Sequence, residues 1–217
     1  MDLLIFDLDG TLIDSRLDLA NAVNATRRHM GMEPLCNERV YSYVGNGAPV
    51  LIRRALGERA TEAEVQEGLE FFLEYYREHD LDNTTLYSGV KESLDRLRAA
   101  GKQMAVLTNK PLRMSQHIVE GLGVAGHFLK VYGGNSFEFK KPNPIGIRTL
   151  MDITSVGPDR TMMVGDSSVD VETARNAGVR CCGVTYGFQP ETLADPPPDL
   201  MVDRMEELAE WVLERQL

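Results

Sequence analysis

Leu3, Leu4, Ile5 and Phe6 run without a spacer into Asp7, Leu8, Asp9 and Gly10. An unbroken apolar run of this length is the pattern of a strand covered on both faces, as in a parallel sheet flanked by helices. Two acids at its carboxyl end place charge where open α/β sheets gather their ligands. Carboxylates held that close repel unless a cation sits between them, and a hard divalent ion such as Mg²⁺ suits oxygen donors. Asp9-Gly10 by itself also reads as an ordinary turn dipeptide. Only the rest of the chain separates the two readings.

Downstream, the pattern turns helical for a long stretch. Ser15 with Asp18 reads as a capping pair, and Leu17, Ala20, Val23, Asn24 and Arg27 follow at helical spacing to Gly31. Short helices are expected over 38–43 and from Val50 to Gly57, joined by the tight connection Gly45-Asn46-Gly47. Thr61 with Glu64 forms a second capping box, opening a longer helix through Val65, Leu69, Phe72 and Tyr76. No further strand-like run occurs before Lys102, and a parallel crossover needs one helix rather than four. The reading is a core of 1–14 and 83–217 with an all-helical cap domain inserted over 15–82. Its tethers flank the first acidic loop, which suits a lid.

Beyond residue 83 strands and helices alternate. Strands are expected over 103–107, 130–132, 161–164 and 179–184, with a further edge strand over 200–202. The expected fold is α/β, a three-layer, Rossmann-like, mostly parallel sheet core carrying the helical insertion. Its strand ends bring Asp7, Asp9, Thr108, Asn109 and Asp166 to one crevice, and Lys141, at a helix start, can supply a cation. Three acids, a lysine, a hydroxyl and loop N–H groups are what phosphoryl transfer uses: a neutralising metal, an in-line nucleophile and an acid for the leaving oxygen. Taken singly, Asp166 also reads as a helix N-cap, and Asp14 and Ser15 as capping residues. Lys140 competes with Lys141, and the Lys-Pro-x-Pro pattern favours Lys141. Arg53 and Arg54 read as a solvated helix face, with contact to a substrate carboxylate as the alternative.

A net charge of −10 gives no basic surface for a phosphate backbone, so no nucleic-acid partner is expected. No apolar run is long enough to span a membrane. Asp2 leads directly into a strand, so no signal peptide is expected. Cys36, Cys181 and Cys182 form no disulfide framework. They are expected to be buried small hydrophobes in a reducing, cytoplasmic setting. The histidines show no ligand spacing and read as structural or surface residues.

Asp7-Leu-Asp9-Gly-Thr-Leu-Ile-Asp14-Ser, Thr108-Asn109, Lys141-Pro-Asn-Pro and Gly165-Asp166-Ser-Ser-Val-Asp170 resemble the four ordered motifs of the haloacid dehalogenase superfamily. The helical insertion resembles its C1-type cap. The resemblance implies a nucleophilic Asp7 that also binds Mg²⁺, and an Asp9 that protonates the leaving alkoxide and offers its backbone carbonyl to the metal. It implies Asp166 as the remaining metal ligand, Thr108 and the Asn109 backbone as phosphate donors, and Lys141 as the balancing charge. Asp170 is left either to orient a metal-bound water or to favour the first helical turn.

Dehalogenases of the superfamily lack an acid at the position of Asp9, and phosphonatases carry a small residue there. The stretches following Asp14 and Tyr43 are similar to phosphoglycolate phosphatases, whose glycine-rich cap loop, here Gly45, Asn46 and Gly47, helps choose substrate. The implied reaction is Mg²⁺-dependent hydrolysis of 2-phosphoglycolate, a small phosphorylated metabolite, through an aspartyl-phosphate. A broad sugar-phosphate or nucleotide phosphatase is the first alternative and a β-phosphoglucomutase-like isomerase the second. A non-catalytic binding protein has no reason to keep so costly a cluster of acids.

Overall fold

Strand β1 (Leu3–Phe6) occupies the middle of a six-stranded sheet, and all four of its side chains are fully buried. The computed structural model describes residues 1–214. The sheet is completed by β4 (Gln103–Leu107), β5 (Lys130–Tyr132), β6 (Thr161–Gly165), β7 (Arg180–Val184) and β8 (Leu200–Val202), in the order β5-β4-β1-β6-β7-β8. Every neighbouring pair is parallel, with Leu3 opposite Gln103 on one side and Thr161 on the other. β1 therefore has a strand on each edge and helices on each face, which is why its sequence does not alternate. Leu3 and Ile5 share a cluster with Ile147 and Leu150 of α7 (Ile145–Thr154) and with Val171 and Ala174 of α8 (Ser168–Ala177). Leu4 and Phe6 point to the opposite face by the period of two.

The chain forms two compact units, Met1–Ile13 with Leu86–Leu217, and Asp14–Thr85. The first holds the sheet together with α5 (Val90–Ala99), α6 (Leu112–Gly121), α7, α8 and α9 (Met205–Glu214). The second is built from α1 (Arg16–His29), α2 (Asn37–Tyr41), α3 (Ala48–Leu56) and α4 (Glu62–His79). Leu19 and Val23 of α1, Leu51 and Ile52 of α3, and Phe72 and Tyr76 of α4 are among its buried apolar residues. Where the chain passes from one unit to the other, β2 (Ile13–Asp14) and β3 (Thr85–Leu86) pair as a small ribbon that the residue pattern does not announce. Two-residue strands carry too little periodicity to be seen.

Three local expectations change. The Thr61–Glu64 capping box forms, but Ser15 makes no side-chain cap. Asp18, its supposed partner, is buried and accepts four bonds instead: from Asn83 N at 2.9 Å, Asn83 Nδ2 at 2.7 Å, Thr84 N at 2.8 Å and Thr84 Oγ1 at 2.8 Å. A carboxylate in the first turn of α1 thus holds the end of the same helical unit, 65 residues downstream. Replacing Asp18 by alanine strands those donors and is expected to cost about 3 kcal/mol. An unchanged urea midpoint would show that water replaces the carboxylate without loss.

Leu17, counted with the apolar face of α1, is 42% exposed. Cys36 is exposed too, in extended backbone just before α2, whereas Cys181 and Cys182 are buried on β7. Burial pushes the Cys182 thiol up to about 12, so it packs rather than reacts.

Candidate active site

β4, β1 and β6 are sheet neighbours, and the acids, hydroxyl and amide expected at their ends meet where they stop. The ladder runs one step past β1, with Asp7 N donating to Val164 O at 2.9 Å. Asp7 is therefore held by sheet geometry rather than by a loop. Leu8 O then accepts from Leu12 N and Ile13 N, which folds the chain back around Gly10.

Lys141 is buried, and its ammonium lies 3.0 Å from Asp7 Oδ1 and 2.7 Å from Asp170 Oδ1. Burial works to lower its pKa, but the Asp170 and Asp7 carboxylates outweigh this and hold it above the ordinary lysine value. Lys140 is exposed, whereas Lys141 is the one buried among the acids. Asp170 divides its two oxygens. Oδ2 accepts from Ser167 N at 3.2 Å and Ser167 Oγ at 2.9 Å, closing the capping box of α8, so the expected support of the first helical turn is present. Oδ1 pairs with Lys141, a contact that local pattern does not announce. The N-cap of α8 is Ser167, so Asp166 is released from that duty.

Thr108 and Asn109 sit at the end of β4, both buried. The Asn109 side chain donates to Lys141 O at 3.2 Å, tying β4 to the lysine segment. The Asp9 carboxylate receives the ammonium of Lys110 at 3.0 and 3.2 Å. Lys110 escapes sequence reasoning. It directly follows Asn109, and nothing in a lysine at a strand end distinguishes one drawn inward from one in solvent.

Asp166 is buried as well. Its Oδ2 accepts from Phe188 N at 2.7 Å and Gln189 N at 3.3 Å, and its Oδ1 lies 3.4 Å from the Thr11 hydroxyl. These loop contacts are also illegible in sequence, because backbone N–H donors carry no residue signature. Gly45, Asn46 and Gly47 belong to the helical unit, where Asn46 Oδ1 accepts from Arg54 Nη2 at 2.9 Å and Tyr43 O from Arg54 Nη1 at 3.0 Å. Arg53 pairs with Glu62. Neither arginine is simply solvated.

Ligand atoms of Asp7, Asp166 and Asp170 lie within 4.8 Å of one another. Counting Asp9, four acidic side chains share two ammonium groups, Lys141 and Lys110, so full ionisation would leave an excess of two negative charges. Asp170 commits Oδ1 to the Lys141 ammonium at 2.7 Å and Oδ2 to the cap of α8, whereas the Thr11 hydroxyl meets Asp166 Oδ1 at a long 3.4 Å, so Asp7 and Asp166 have more capacity for an ion than Asp170. Burial raises the Asp7 pKa to about 6 against the pull of Lys141, with the Asp170 charge pushing the same way as burial. Burial, followed by the Asp170 and Asp7 charges, raises Asp166 to about 8 despite its two backbone donors. A pair of buried acids that resist ionisation, in a cluster short of two positive charges, fits a hard divalent cation.

Asp7 and Asp166 bind protons more tightly in the folded protein than at the unfolded value of 3.8, so metal-free stability falls as pH rises from about 4 through 8. Between pH 5.5 and 7.5 the expected loss in chelator is about 3 kcal/mol, dominated by Asp166. Excess Mg²⁺ should flatten the slope. Denaturation curves in EDTA that are level or rise over this range would contradict the assignment.

The sequence model of the haloacid dehalogenase-like hydrolases matches residues 4–184. The chain is 41% identical over 217 residues to a phosphoglycolate phosphatase of Vibrio parahaemolyticus, covering 97% of this chain and 95% of that protein. It is 43% identical over 187 residues to one of Chromobacterium violaceum, covering 84% of each. Among solved structures, a predicted phosphoglycolate phosphatase from Haemophilus somnus 129PT superposes with a TM-score of 0.92 at 33% identity, over 97% of both chains. With this match spanning all four motif segments, the chain belongs to the haloacid dehalogenase-like hydrolase family.

Proposed function

We propose that this chain is a Mg²⁺-dependent phosphomonoester hydrolase that converts 2-phosphoglycolate to glycolate and phosphate. The observation that carries the reading is the Asp7 carboxylate, fixed at the end of the central strand and paired with the buried Lys141 ammonium. A carboxylate so placed is a nucleophile held for in-line attack. An Asp7 oxygen forms a bond to phosphorus as the ester P–O bond breaks, and the leaving oxygen takes a proton from Asp9. Water then attacks the aspartyl-phosphate, returns a proton to Asp9, and frees phosphate and Asp7. Thr108 Oγ1, the Asn109 N–H and Lys141 bind the phosphoryl oxygens, and Lys110 holds the Asp9 side chain.

Mg²⁺ would be held by Asp7, Asp166 and the Asp9 backbone carbonyl, and when bound it offsets phosphate charge. Residues 15–82 are proposed as the cap domain, with the Gly45-Asn46-Gly47 loop as its substrate-selecting part. Support for the narrow substrate comes from the relatives' names and from the similarity over nearly the whole chain. The free cysteines suit a reducing cytoplasm. Among the described residues no helix is long and apolar enough to cross a membrane.

The test is phosphate release from 2-phosphoglycolate, sugar phosphates, nucleotides and pyrophosphate, with Mg²⁺ and with EDTA. The expected result is a lead for 2-phosphoglycolate in kcat/KM of about tenfold or more, about 1.4 kcal/mol of transition-state preference. Chelator should silence the enzyme. A flat profile would retain the mechanism and reject the substrate, and full activity in EDTA would reject the metal.

A further inference from the structure

The segment after β7, Thr185 to Gln189, has no place in the reaction described above, yet it forms one wall of the acidic cluster. Its backbone supplies both N–H donors to Asp166 Oδ2, from Phe188 at 2.7 Å and Gln189 at 3.3 Å. The Tyr186 hydroxyl donates to Thr11 O at 2.9 Å, which fastens the loop to the turn that follows Asp7 and Asp9. Between these anchors lies Gly187. A Cβ there would stand 2.1 Å from Asp166 Cβ, 2.6 Å from Asp166 Oδ2 and 2.6 Å from Gly10 O. Such separations cannot be met, and two of the three neighbours are main-chain or Cβ atoms that no side-chain rotation moves aside. Gly10 closes the opposite side, where a Cβ would lie 2.4 Å from the same Oδ2.

We propose that the Tyr186–Gln189 loop is a positioning element for the metal, with Gly187 as the residue that lets it reach Asp166. By binding Oδ2 from the backbone, the loop fixes the carboxylate plane and leaves Oδ1, which the Thr11 hydroxyl meets at a long 3.4 Å, as the oxygen with more capacity for a cation. A carboxylate oriented in this way holds an ion better than a free one, since its rotamer is already chosen. Outer partners of metal ligands typically change affinity by about 10- to 100-fold. The proposal rests on the metal reading of the acidic cluster and is independent of the substrate.

Calorimetric titration of metal-free protein with Mg²⁺ tests it without turnover. Gly187→Ala is expected to raise the Mg²⁺ dissociation constant about 10- to 100-fold. The loop must move to admit the Cβ, so the metal-free melting temperature of this variant should fall as well, whereas that of Tyr186→Phe should stay close to wild type. Tyr186→Phe, which removes one anchor and keeps the ring, is expected to raise the constant about fivefold, the value of one hydrogen bond. Gly157→Ala is the control, because a Cβ at Gly157 meets nothing within 4 Å. Binding by Gly187→Ala and Tyr186→Phe within about twofold of wild type would overturn the proposal. If Gly187→Ala does not fold, Tyr186→Phe decides by the same comparison. A wild-type protein that binds no Mg²⁺ would instead refute the metal reading itself, an outcome distinguishable from failure of the loop's role.

Discussion

Asp7→Asn is expected to lower turnover by about 10⁴-fold or more, because it removes the oxygen nucleophile while leaving the binding groups in place. That corresponds to about 5 kcal/mol or more of transition-state stabilisation. The fold should survive. Asparagine is the same size, Asp7 N still joins the ladder at Val164 O, and an acid that burial holds near a pKa of about 6 gives little stability through its charge. Metal-free melting should therefore stay within a few degrees of wild type. Rapid-quench trapping with labelled substrate should find phosphate on the wild-type protein and none on the variant. A variant that turns over at near wild-type rate would exclude the covalent route, and direct attack by water would have to replace it.

Lys141→Met should produce the largest loss of stability of any single change in the site. Methionine keeps much of the volume and removes the ammonium, leaving Asp7 and Asp170 buried without their shared cation. Breaking a buried ion pair from one side costs about 3 to 5 kcal/mol, since the surviving charge is neither solvated nor paired. Asp170 has no alternative, being fully buried with its other oxygen already capping α8. Urea denaturation in EDTA at pH 7.5 measures the loss, and phosphate release should fall with it. Lys140→Met, one residue away and exposed, should stay within about 0.5 kcal/mol of wild type. Equal small effects at both positions would mean that water reaches the cluster and that Lys141 is not its essential cation.

Much of this site is legible in the chain read residue by residue. Apolar runs that stop at polar residues, repeated along an alternating strand–helix chain, read as covered strands with polar ends, so Asp7, Thr108 and Asp166 stand out by their positions at strand ends. Lys141 stands out by the prolines beside it. Lys110 and Asp18 do not, and both for one reason. A charged residue next to a strand end or in a first helical turn has a solvated explanation, and only distant chain shows that it is buried. Lys110 is turned inward by Asp9, 101 residues away, and Asp18 by Asn83 and Thr84. Cys36 and Leu17 fail in the reverse sense. Their residue types favour burial, but no packing surface is offered at those points.

The alternation of strands and helices, the helical insertion and the identity of the acids follow from side-chain periodicity and from the chemistry of single residues, so they can be read along the chain. How those acids divide their labour is settled only when the chain folds. Asp9 goes to Lys110, Asp7 and Asp170 share Lys141, Asp170 also caps α8 through Ser167, and Asp166 Oδ2 goes to the backbone after β7. Each choice is a competition among buried carboxylates for a few donors. Its outcome depends on distances between segments that in the case of Asp9 and Lys110 lie 101 residues apart. Local pattern carries no record of such distances; the order of the strands in the sheet sets them.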